Sequence, residues 1–238
     1  MIFARSVVFL VFFALESAAI SLLCVPALFM SWRAASFVGR LWSRVTFWGL
    51  RVIAGTRLEI RGAVPRGGVL VAAKHMSMAD TIALYLTLHD PAMVLRSTLL
   101  RIPFYGWYVK AAGSIVIDRD GGAATLRRMT KQARAVIGDG RQVVIFPEGT
   151  RKKPDTPPDY KPGVAGIYGL LGVPCVPVAL NTGVFWTSFA KYPGRLVVEF
   201  LEPIPPGLGR ADFMQSLQGR IESATRDLVA EGRAMRNH

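Results

Sequence analysis

The segment from Ser6 to Met30 constrains this chain more than any other, since it is rich in Phe, Val, Leu and Ala and Glu16 is its one charged residue. About 20 apolar residues cross a bilayer as a helix, so the run is long enough to do so. It exceeds a usual signal-peptide core, and no convincing small-residue cleavage site precedes Arg33, which ranks a cleaved leader second. A buried core helix is the plain alternative, and a single charge over that length speaks against it. Pro26 is placed to end or kink the helix. The sequence leaves open whether the run spans the bilayer or enters one leaflet and returns.

The next stretch has a different character. Arg33, Arg40, Arg44 and Arg51 fall within roughly 40° of one another on a helical wheel. Val38, Leu41, Trp42, Val45 and Val52 occupy another sector, and Trp32, Phe37, Phe47 and Trp48 add aromatics. A basic, aromatic-rich amphipathic helix suits the plane of lipid headgroups. The simpler alternative is a helix packed on the domain with its arginines in water. Arg57 and Arg61 extend the positive flank, which by charge bias puts the following domain on the cytoplasmic face of a cell membrane, a bacterial inner membrane being the expected case.

With 29 Lys and Arg against 16 Asp and Glu, the net charge of +13 calls for anionic surroundings. Nucleic acid is set aside, because no RNA- or DNA-reading motif accompanies the basic residues and none would explain the apolar N-terminus. A membrane surface explains both. Cys24 and Cys175 lie in apolar runs, and with His75, His89 and His238 they offer neither a disulfide framework nor a zinc-ligand spacing. No metal or cofactor is expected.

The 238 residues divide into an N-terminal membrane-associated part, 1–55, and one α/β domain, 56–238. In the latter, β-rich runs at Arg57–Arg61, Val69–Ala73, Ser114–Ile117, Gln142–Phe146, Pro174–Leu180 and Arg195–Leu201 alternate with helical patterns. Ala123–Ile137 is one such pattern, and Phe213, Leu217, Ile221, Ala224 and Leu228 form an apolar stripe of helical period. The ordering predicts a largely parallel sheet flanked by helices, with ligands beyond the carboxyl ends of the strands.

The chemistry-bearing residues sit at those ends. His75 and Asp80 follow the strand Val69–Ala73. In one regular helix a five-residue spacing separates them by about 140°. With His75 in the turn and Asp80 in the first helical turn, the carboxylate reaches the ring, fixes its tautomer and leaves Nε2 as a general base. Ser77 and Asp80 equally match a helix-capping pattern that would serve only the helix N-terminus.

A second block, Phe146-Pro147-Glu148-Gly149-Thr150-Arg151, offers a glycine for close approach or positive φ and, in Thr150 and Arg151, natural phosphate ligands. Glu148 would repel a phosphate and is better suited to hold a hydroxyl or orient Arg151. Lys152, Lys153 and Lys161 add positive charge, the first two reading as solvated. Gly113 to Arg119 is a strand ending in an acid–base pair, where Arg119 is a second phosphate ligand or a partner of Asp118 or Asp120. Val173 to Asn181 is a buried strand in which Cys175 reads as core. No Gly-x-Ser-x-Gly elbow is present to support a serine acyl-enzyme.

Taken together, these four ordered blocks from Ala73 to Asn181 resemble the 1-acylglycerol-3-phosphate acyltransferase (lysophosphatidic acid acyltransferase) family. His75 and Asp80 match its His-x4-Asp block and Phe146 to Arg151 its Phe-Pro-Glu-Gly-Thr-Arg block. Gly113 to Arg119 and Val173 to Asn181 match the other two. One departure is Lys74, where the family commonly has Asn. The resemblance implies a membrane-bound O-acyltransferase of phospholipid biosynthesis that moves an acyl chain from acyl-CoA or acyl-ACP to lysophosphatidic acid. His75 and Asp80 would form the base, and Glu148, Gly149, Thr150, Arg151 and Arg119 would hold the acceptor. The rivals are the same chemistry on another acceptor, such as a lyso-ornithine lipid or another lysophospholipid, a lipid hydrolase using the same base on water, and a non-catalytic membrane protein binding anionic lipid.

Overall fold

The structure, a computed structural model, describes residues 1–118 and 122–236. Two long helices, α1 (Ile2–Leu23) and α2 (Trp32–Gly49), come first, joined through a short 3-10 turn at Val25–Phe29 that Pro26 initiates. Ser31 caps α2 by accepting the Ala34 amide at 3.2 Å. A single π turn, Leu50–Ala54, then leads through Gly55, at φ 76°, into the domain.

Seven strands follow: β1 (Thr56–Arg61), β2 (Leu70–Ala73), β3 (Ala92–Arg96), β4 (Ile115–Ile117), β5 (Val143–Ile145), β6 (Cys175–Leu180) and β7 (Gly194–Phe200). Their order across the sheet is β1-β7-β6-β2-β5-β3-β4. All neighbours pair in parallel except β6 and β7. The largely parallel expectation therefore holds, with one antiparallel step. Six of the strands coincide with the apolar runs, while β3 was not anticipated.

Strand alternation sorts the core into two layers. Val71, Ala73, Val144, Val176 and Val178 face one side, with Phe9, Phe47 and helix α3 (Met78–Thr87). Leu70, Ala72, Val143 and Ile145 face the other, against α5 (Gly122–Gly138), α6 (Gly163–Leu171) and α8 (Arg210–Arg236). The expected stripe on α8 is buried there, through Phe213, Leu217, Ile221 and Leu228. Two short helices, α4 (Tyr105–Ala111) and α7 (Thr182–Phe185), complete the chain.

The N-terminal helices lie along the domain instead of projecting from it. Ser6 Oγ accepts the Lys191 amide at 3.0 Å, Phe9 packs edge-on against Trp186, Ser17 Oγ accepts from Trp42 Nε1 at 2.9 Å, and Tyr108 donates to the Ser21 carbonyl. Contacts thus run the length of α1, yet only 17% of its most apolar stretch is buried. Val8, Val11, Leu15 and Leu22 remain exposed along its outer side. On α2 the arginine sector is partly engaged, since Arg40 pairs with Asp90 at 3.2 Å. Val52, assigned to the apolar sector on a regular wheel, is exposed, because the π turn breaks the 3.6-residue period before it.

Candidate active site

Strands β2, β5, β3, β4 and β6 run in the same direction, so their carboxyl ends converge on one edge. His75 leaves β2 in the turn before α3, whose N-cap Ser77 is extended (φ −148°, ψ 176°). That extended residue resolves the five-residue spacing, which a continuous helix could not accommodate. His75 Nδ1 lies 2.8 Å from Asp80 Oδ2. The same oxygen accepts the Met76 amide at 2.6 Å and the Ser77 amide at 2.8 Å, and Oδ1 accepts the Thr182 hydroxyl. With Ser77 Oγ receiving the Ala79 amide at 3.1 Å, the capping box is closed as well.

Capping and orienting the imidazole are therefore one arrangement, not alternatives. Asp80 is fully buried and satisfied by four donors, which over-determines its position. The carboxylate requires the proton on Nδ1, leaving Nε2 with its lone pair. Phe146 stacks on the imidazole, with ring centroids 3.9 Å apart at 17°, and holds its plane. A ring so fixed can take a proton from a hydroxyl.

His75 opens on a cavity of about 1150 Å³. Its apolar wall includes Phe13 from α1 and Val38 and Trp42 from α2, together with Ile82 and Val109. The N-terminal helices are thus part of the site. Arg96, Thr150, Arg151 and Lys161 line the same cavity.

Gly149 takes φ 62°, and its amide donates to the Phe146 carbonyl at 2.9 Å, forming the tight turn its sequence predicts. Thr150 and Arg151 beyond it are exposed. Arg96, at the end of β3, donates to the Gly149 carbonyl at 2.9 Å. Glu148 turns away from the cavity, 1% exposed, with its Oε1 3.0 Å from Lys74 Nζ. Burial raises its pKa, and the Lys74 ammonium pulls it back down. Arg119 lies outside the described residues. Asp118 pairs with Arg128 at 3.1 Å, and a Ser97 hydrogen bond and the Arg128 guanidinium hold its carboxyl below the usual range.

Residues 56–181 match the family described as Acyltransferase. The chain belongs to that family. A 1-acyl-sn-glycerol-3-phosphate acyltransferase of Pseudomonas aeruginosa is 34% identical to it over 166 residues, covering 68% of this chain and 65% of the relative. The chain thus spans just under two thirds of that protein's length. A lyso-ornithine lipid O-acyltransferase of the same organism is 29% identical, over 76% of this chain and 78% of its own. The crystal structure of the 1-acyl-sn-glycerophosphate (LPA) acyltransferase PlsC from Thermotoga maritima shares the fold at a TM-score of 0.78, with 18% identity and 96% and 98% of the two chains covered.

Within this family member, several site residues escaped the sequence reading. Arg96 went unseen with its strand, although an apolar run ending in arginine was a usable signal. Thr182 sits one residue beyond the last recognised block. For Glu222, which reaches Lys74 from α8 at 2.7 Å, no sequence signal exists.

Proposed function

We propose that this chain is a membrane-bound O-acyltransferase that esterifies lysophosphatidic acid to phosphatidic acid, using acyl-CoA or acyl-ACP as donor. The supporting observation is the His75–Asp80 pair opening on a large apolar cavity that Arg96 and Arg151 also line. Nε2 of His75 takes the proton of the acceptor's free hydroxyl as its oxygen attacks the thioester carbonyl carbon. The tetrahedral intermediate collapses with loss of the thiolate, which receives that proton from the imidazolium. The products are an ester and a free thiol, and no acyl-enzyme forms. Thr150 and Arg151 bind the acceptor's phosphate and glycerol, while the cavity takes an acyl chain.

Residues 1–55 form the membrane-associated part and 56–238 the catalytic domain. Fastening of α1 to the domain along its length and an exposed apolar outer side support a place in one leaflet, and the basic flank with Arg57 and Arg61 supports the cytoplasmic face. Helices that also wall the cavity give a lipid substrate a route that avoids water.

Likeness to the lyso-ornithine lipid enzyme supports a second reading, the same chemistry on that acceptor. The test is acyl transfer by detergent-purified protein from labelled oleoyl-CoA to lysophosphatidic acid, with a lyso-ornithine lipid in parallel. Phosphatidic acid formation that His75→Ala abolishes is the expected result. Product from the second acceptor alone would keep the mechanism and replace the substrate. Fatty acid release without either acceptor would identify a hydrolase.

A further inference from the structure

Lys74 stands where its family commonly has asparagine, and its surroundings explain what a cation does there. Strand alternation points it away from His75, to the opposite side of the sheet. There its side chain is 3% exposed, with Nζ 3.0 Å from Glu148 and 2.7 Å from Glu222 of α8. The Tyr160 hydroxyl donates to the same Glu222 oxygen at 3.0 Å. One ammonium therefore serves two carboxylates drawn from distant parts of the chain. Without it they would face each other in a poorly solvated site, which is strongly unfavourable.

Glu148 is the middle of the turn that carries Thr150 and Arg151. From the cavity side that turn is held by Arg96 on the Gly149 carbonyl and by the Lys152 amide on the His75 carbonyl at 2.8 Å. From behind, its side-chain tether is the Glu148–Lys74 pair. Base and tether thus leave the backbone at adjacent residues.

We propose that Lys74 is a positioning residue for the acceptor-binding turn. By gripping Glu148 from behind the sheet, with Glu222 as second counter-ion, it fixes Thr150 and Arg151 relative to His75. This makes α8 part of the machinery that sets acceptor affinity. The inference rests on the acceptor reading above only for the identity of the bound group.

The test compares the full chain with K74M and K74R in steady-state kinetics, varying acceptor and oleoyl-CoA separately. K74M should raise the acceptor KM at least tenfold, with donor KM and kcat within threefold, and K74R should restore most of the loss. An unchanged acceptor KM overturns the proposal, as does a loss confined to kcat that tracks the folded fraction. Should K74M not fold, K74M/E222Q replaces it, because it removes one carboxylate with the cation and preserves the net buried charge. Hydrogen exchange supplies a reading that needs no substrate, since the Gly149 amide is bonded to the Phe146 carbonyl and the Lys152 amide to the His75 carbonyl. Both should exchange at least tenfold faster in K74M, while amides of α3 stay unchanged. If wild-type protein acylates neither acceptor, the acceptor reading has failed on its own account. Exchange then decides alone, and equal protection in K74M overturns the role of Lys74.

Discussion

Two of the carboxylates buried among the described residues, Asp80 and Glu16, are treated differently. Asp80, beside the imidazole, receives four donors on its two oxygens. Glu16, between α1 and α2, receives only the Thr46 hydroxyl at 2.7 Å among the described residues, and its Oε2 has no partner there. Burial accordingly pushes Glu16 up to about 7, the Thr46 bond offsetting part of the rise. The bonds to Asp80 are complete before any substrate arrives, as the proposed preorganised base requires. The helical layer answers only to packing and to its surroundings, and it tolerates an incompletely paired group.

The sharpest way to break that contrast is to remove the proposed base. His75→Ala should lower kcat by about 10³-fold, the usual worth of a positioned general base, with acceptor KM within threefold. Asp80→Asn should lose a similar amount and also destabilise the fold, because an amide cannot accept from all four donors. The stability loss is about 1–3 kcal/mol. Normal turnover in the Asp80→Asn variant, with only a lower Tm, would reduce the carboxylate to a helix cap.

A second contrast lies within the site, between the half-buried His75 and the exposed Arg151. On the proposed reading, Arg151→Ala removes charge-assisted bonds to a phosphate, about 1.5–3 kcal/mol, so the acceptor KM should rise roughly 10- to 100-fold with kcat little changed. An unaltered KM would transfer phosphate binding to Arg96, which lines the same cavity.

Most of the fold was legible because it rests on local patterns. Apolar runs bounded by turns located six strands, and the stripe Phe213, Leu217, Ile221, Ala224 and Leu228 located α8. β3 was missed although Asp90-Pro91 marks a turn before Ala92–Arg96, because the run Ala92-Met93-Val94-Leu95 has one β-branched residue and reads equally well as helix. His75 and Asp80 were readable as a pair because the turn between them is local. Thr182 reaches Asp80 across 102 residues, and Lys74 meets Glu222 across 148. Contacts of that kind are made by strand order, on which residue spacing is silent. Glu148 shows the same limit. Its place in the block was clear, but the side of the sheet it would face was not.

Thr182 probes how complete the base network must be. Thr182→Val keeps the shape and removes one donor from Asp80. The expected result is a fall in kcat of about 3- to 10-fold, from a hydrogen bond worth about 1 kcal/mol. Acceptor KM should stay constant, and Thr182→Ser should recover the loss. Unchanged turnover in the valine variant would mean that three donors suffice.

The smallest effect belongs to Glu16, and it tests the other half of the comparison. Its folded pKa of about 7 exceeds the ordinary 4.5, so the native state binds the extra proton. Its contribution to stability is therefore fully present below pH 4.5 and is lost as pH rises through about 7. Glu16→Gln keeps an oxygen for Thr46 and never ionises. Relative to wild type, its Tm should be nearly equal at about pH 4 and higher at about pH 8, by about 2–4 °C for each kcal/mol gained. Because Glu16 does not line the cavity, kcat should not move. A Tm difference that stays constant across that pH range would mean that the helical layer solvates its carboxylate as well as the site does, and the distinction between the two regions would then lie in their donors alone.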